Sequence, residues 1–95
     1  MSEVLNVALA ALSAKLPNGF SSTAKFVLEG EGSIIADPDG VRLGDDEADV
    51  TLTASPETFK GILEGDVNPT MAFMTGKLKI DGAMGLAMQL GSALG

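Results

Sequence analysis

Cysteine, histidine, tyrosine and tryptophan are all absent from this chain, and the only aromatic side chains are four phenylalanines among 95 residues. Without cysteine there is no disulfide, no thiolate nucleophile and no thiolate metal site. Without histidine the commonest general base at neutral pH is missing as well. Hydrolytic chemistry would have to rest on Ser, Thr, Lys and carboxylates, and no G-x-S-x-G elbow or Ser–Lys nucleophile motif arranges them for it. The carboxylates fall in turns or at outward strand positions, where nothing desolvates them enough to raise a pKa. No catalytic residue is assigned, and neither an enzyme activity, a cofactor nor a metal is expected.

Positive charge is scarce too. Six Lys and Arg stand against thirteen Asp and Glu, a net charge of −7. Nucleic-acid affinity comes largely from basic side chains neutralising phosphates, so nucleic acid is excluded as a partner, and membrane contact is expected to be transient at most. Long apolar runs are missing as well. The charge-free stretch after Asp81 ends at residue 95, short of the about 20 residues a membrane helix needs. The start, MSEVLNVALAALSAKL, carries Glu3 where a secretory signal has positive charge. Leu5, Ala8, Leu9, Leu12 and Leu16 recur there at helical spacing, so an amphipathic helix is the better reading and the cytoplasm the expected location.

What the chain does have is apolar surface: 45% of its residues, more than a core of this size needs. Either a homodimer or partner interface, or an internal ligand cavity, would use the excess. A monomer is the expectation and a dimer the alternative.

The elements follow from periodicity and punctuation. A helix over Glu3–Leu16 stops at Pro17-Asn18-Gly19. The period then changes to two, with Ala24, Phe26 and Leu28 on one face of a strand. Turns at Gly30–Gly32, Asp37–Gly40 and Gly44–Glu47 delimit strands Ser33–Ala36, Val41–Leu43 and Ala48–Ala54, which together predict a four-stranded antiparallel meander. Ser55 and Pro56 open a helix bearing Phe59, Ile62 and Leu63, with Gly65 as its stop. Asn68-Pro69 opens a short helix with Met71, Phe73 and Met74. Lys77–Asp81 is a fifth strand with Leu78 and Ile80 on one face, and a last helix starts near Ala83. The order α–ββββ–αα–β–α is an α+β pattern in one domain over residues 1–95, with helices on one face of a mainly antiparallel five-stranded sheet.

Other motifs reduce to simpler readings. Asp37-Pro38-Asp39-Gly40 opens like a calcium loop but would put Ala48 where the bidentate acid belongs, so it is a β-turn. Asp45, Asp46, Glu47 and Asp49 read as a solvated turn. Gly30-x-Gly32 has Ile35 at the third glycine position of a nucleotide fingerprint and no helix after it.

Four of the five methionines, Met71, Met74, Met84 and Met88, lie in the last quarter of the chain. They serve either as core filler or as the adaptable lining of a cavity, since methionine is flexible and polarizable. The stretch Ala48-Asp-Val-Thr-Leu-Thr, then Ser55-Pro-Glu-Thr-Phe59, Ile62-Leu-Glu-Gly65, Phe73-Met-Thr-Gly-Lys-Leu-Lys-Ile-Asp-Gly82 and Met84-Gly-Leu-Ala-Met88 resembles the sterol carrier protein 2 lipid-transfer domain family. The match is close over Ala48–Leu90. The resemblance implies a single-domain bacterial member whose sheet and helices enclose a hydrophobic tunnel for fatty acid, fatty acyl-CoA or a sterol- or isoprenoid-like lipid. On that basis the candidate lining is Phe59, Ile62, Leu63, Met71, Met74, Leu78, Ile80, Met84, Leu86, Met88 and Leu90, with the last helix as a lid. Gln89 and Ala83 depart from the Lys and the Asn or Asp common in the family. The alternative function is a protein-interaction or scaffold module docking a partner through the same apolar face.

Overall fold

The computed structural model describes residues 3–94. Its elements are α1 (Glu3–Lys15), β1 (Ala24–Leu28), β2 (Gly32–Asp37), β3 (Gly40–Leu43), β4 (Val50–Ala54), α2 (Pro56–Glu64), α3 (Pro69–Met74), β5 (Leu78–Gly82) and α4 (Met84–Leu94). The expected element order is observed, and the starts of α2 and α3 lie where their caps predict. Ser55 Oγ accepts from the Thr58 amide at 3.2 Å, and Asn68 Oδ1 accepts from the Thr70 and Met71 amides at 2.8 and 3.2 Å. Each cap satisfies amides that have no partner inside the helix. Gly65 closes α2 in the left-handed region at φ 84°, a conformation that costs glycine nothing.

The expected four-stranded meander is not what forms. The strand order is β3-β2-β1-β4-β5, and β4 pairs parallel with β1 while the other neighbours are antiparallel. Only β1 to β3 make a meander; residues 44–49 carry the chain back across the sheet to the far side of β1. At about 3.3 Å per residue that segment reaches ~20 Å, more than three strand spacings of about 4.8 Å. The crossing is pinned on the sheet face away from the helices. Lys25 Nζ meets Asp45 Oδ1 at 3.0 Å, the Thr23 amide donates to Asp49 Oδ2 at 3.1 Å, and Ser33 Oγ donates to the Gly44 carbonyl at 2.6 Å. Arg42 pairs with Asp37 and, at 3.1 Å, with Asp46. The acidic residues that read as a free turn therefore hold a crossover in place, and the segment helps seal Ile35, which is fully buried on that face.

On the helix-covered face, register aligns side chains in rows across the strands. Leu43, Ile34, Phe26, Leu52 and Ile80 form one row; Ala54 and Leu78 pair in the next. Phe26, Ile34 and Val50 have no exposed surface, and Phe59 descends from α2 to meet Phe26 edge-on, ring centroids 6.1 Å apart at 75°. Truncating a buried phenylalanine of this kind costs about 3–5 kcal/mol. This cluster, with Leu12 from α1 and Leu90 and Leu94 from α4, is the core. Between β5 and α4, Gly82 sits at φ 105° with its α-carbon against the Asp49 carbonyl, so an added β-carbon would collide with backbone. The backbone can turn from strand into α4 at this point because the residue is glycine.

Candidate functional site

Two grooves flank α2, and Phe59 lines both. The smaller, ≈ 440 Å³, lies between α1 and α2 above the end of β1 and is bordered by Glu3, Glu57, Lys60 and Glu64 around Val4, Val7, Leu28 and Leu63. The larger, ≈ 620 Å³, lies between α3 and α4 above β4 and β5, within the 300–1,000 Å³ usual for small-molecule sites.

The floor of the larger groove follows from strand alternation. Leu52 and Ile80 are register partners, and Leu78 projects on the same side. Lys79 and Asp81 alternate onto the opposite face. Phe59 and Ile62 form the inner wall, Pro69, Phe73 and Met74 one bank, and Met84, Ala87, Met88 and Gly91 the other. Among the described residues that line it none is charged; its polar groups belong to Asn68, Thr70 and Ser92. The rim is unusually apolar: Met74 and Met88 are each 72% exposed. Exposed apolar surface gathered about a concavity, rather than scattered singly, marks a binding region.

Of the sequence-predicted lining, Phe59, Ile62, Met74, Leu78, Ile80, Met84 and Met88 converge on the larger groove, and Leu63 lies on the smaller. Met71 is exposed outside both, Leu86 is half-buried against the core and Leu90 is fully buried within it. The geometry of α4 explains this division. A groove-facing stripe at helical period runs through residues 84, 87, 88 and 91, whereas 86 and 90 lie one turn apart on another side. Sequence reasoning also passed over Leu52, Asn68, Thr70, Phe73, Ala87, Gly91, Ser92 and Leu94. The i, i+3, i+4, i+7 spacing from Met84 would have found two of them, Ala87 and Gly91; Asn68 and Thr70 gave only a capping signal.

Among the described residues, the ionisable side chains lie outside this lining. Asp37 is held below its usual value of 3.8, first by its hydrogen bond from Arg42, and both residues belong to the crossover face. Among the described residues no group of acidic side chains is arranged to hold a metal ion, and no helix is long and apolar enough to cross a membrane.

An α+β scaffold with one parallel strand pair and an uncharged groove between its last helices defines a class of small binding folds, and comparison with known proteins places the chain within it. Residues 5–95 match the SCP-2 sterol transfer family. The chain belongs to that family. It is 43% identical over 79 residues to hydroxysteroid dehydrogenase-like protein 2 of Xenopus laevis, covering 75% of this chain and 19% of that protein. The fold is shared with sterol carrier protein 2 from Yarrowia lipolytica in its apo form (TM-score 0.69, 29% identity, 97% of this chain and 84% of that one). It is shared too with sterol carrier protein 2 from Aedes aegypti in complex with palmitate (TM-score 0.77, 21% identity, all of both chains). The chain spans a fifth or less of the length of the first curated relatives it matches.

Proposed function

We propose that this chain is a non-catalytic lipid-binding module that takes a single acyl chain or a flat polycyclic lipid into the groove between α3 and α4 and releases it to a membrane or an enzyme. The observation that carries the reading is the uncharged groove of ≈ 620 Å³ with exposed methionines at its rim. Each methylene moved from water onto such a surface contributes about 0.8 kcal/mol, so a long chain binds at micromolar levels without a strong polar anchor. Phe59, Ile62, Met74, Leu78, Ile80, Met84 and Met88 are the contact residues. Helix α4 serves as the lid, leaving β5 at Gly82, where a φ of 105° sets the turn into the helix. Family membership supports the reading, as does the palmitate held by the Aedes aegypti protein.

Native mass spectrometry of the purified protein, followed by organic extraction of what co-purifies, tests it. A lipid at near one-to-one ratio is the expected result. An empty protein that ignores added lipid and self-associates with concentration would favour the docking role instead.

A further inference from the structure

We infer that the groove between α3 and α4 selects uncharged lipids, such as long-chain alcohols and their esters, over fatty acids and acyl-CoA of the same chain length. The inference rests on the lipid-binding reading and concerns the polar end of the ligand. A buried or half-buried carboxylate needs a cation or several free donors to offset its lost hydration. Among the described residues the groove has no cation in its lining. On the elements that form it, Lys60 lines the other groove and Lys79 alternates onto the opposite face of the sheet. Lys77 is exposed in the turn before β5 and is not part of the lining. Acidic groups outnumber basic ones by thirteen to six over the whole chain, so the surrounding field opposes an anion.

The backbone at the α3 end does not supply donors either. Pro69 has no N–H. The Thr70 and Met71 amides both donate to Asn68 Oδ1, and the Ala72 amide donates to the Asn68 carbonyl at 2.9 Å. The capped first turn of α3 has thus no amide left for a carboxylate. At the α4 end the first turn is open to solvent, where its partial charge is screened by water and salt. The Asn68 amide nitrogen and the hydroxyls of Thr70 and Ser92 remain along the lining. Those groups match a single hydroxyl or carbonyl, which can donate or accept one or two hydrogen bonds.

The test is competitive displacement of Nile red, a neutral polarity-sensitive dye, by dodecanol and by laurate at pH 8, repeated with Ser92→Lys. Dodecanol is expected to bind about tenfold or more tightly than laurate. Ser92→Lys, at an exposed position of α4 that leaves the core intact, should shift the ratio of laurate to dodecanol affinity toward laurate by about tenfold. Laurate binding as tightly as dodecanol to the unaltered protein, or a selectivity that Ser92→Lys does not move, overturns the inference while the lipid-binding reading stands. If neither ligand displaces the dye, that reading falls and the inference with it.

Discussion

The two grooves share a wall and differ in almost everything else. Helix α2 lies between them, with Phe59 reaching both. Toward α1 its charged residues Glu57, Lys60 and Glu64 edge the smaller groove; toward α3 and α4 Phe59 and Ile62 face an uncharged one. Shape alone would make both into ligand sites. The chemistry of the rim separates them: a lipid entering the first would dehydrate carboxylates, and entering the second it displaces water from methionine and leucine. One amphipathic helix thus assigns opposite character to neighbouring spaces, and a single aromatic ring keeps them apart.

The strongest way to break the comparison is to remove the shared wall. Phe59→Ala should cost about 3–5 kcal/mol of stability, read as a lower urea midpoint, and should erase the difference between grooves. Phe59→Leu, which keeps more of the volume, should fold and widen the range of chain lengths bound. The next effect is on binding alone. Met88→Asp puts a charge on the rim of the larger groove at a side chain that is 72% exposed. Lipid affinity should fall about tenfold or more while the melting curve barely moves; the same protein with Lys60→Ala should bind as before. Equal binding by Met88→Asp in calorimetry would take that residue out of the site.

A smaller effect sharpens the role of α4. Gly85 has open space where a β-carbon would go, so Gly85→Ala should stabilise the protein by about 0.5–1 kcal/mol in urea unfolding. The smallest lies away from both grooves. The Arg42 hydrogen bond lowers the folded-state pKa of Asp37 below 3.8, so its contribution to stability is present above that pH and is lost as acid protonates the carboxyl. Arg42→Ala should flatten this part of the acid-unfolding profile slightly, with lipid binding at neutral pH unchanged.

Much of the architecture was legible in the chain because it is encoded locally. Caps at Ser55 and Asn68, the stop at Gly65 and the alternation of Ala24, Phe26 and Leu28 each act within a few residues. Strand order is not local. Gly44, Asp45 and Asp46 have the composition of a tight turn, and only the pairing of Lys25 with Asp45 and of Thr23 with Asp49 reveals a crossing. In the candidate site the clustering of methionines pointed to Met74, Met84 and Met88, which line the larger groove, and also to Met71, which lies outside both grooves. Listing Leu86 and Leu90 with Met84 and Met88 merged two sides of one helix, a distinction that the 3.6-residue period makes and composition does not. Thr70 and Ser92 escaped notice because short polar residues near helix ends ordinarily signal nothing beyond capping or solvent.

The parallel pairing of β1 with β4 also has a consequence in time. The β1–β2 hairpin joins strands separated by a short turn and closes on the order of microseconds. Its other edge waits for a partner some 26 residues downstream, since Thr23 and Asp49 must meet across that separation. The longer loop closes more slowly and gains no contacts until it has closed. Until Val50–Ala54 docks, the central strand of the finished sheet is an open edge, a template for any extended chain nearby. The acidic residues Asp45, Asp46, Glu47 and Asp49, just ahead of that docking strand in sequence, are of the charged kind that disfavours pairing between copies.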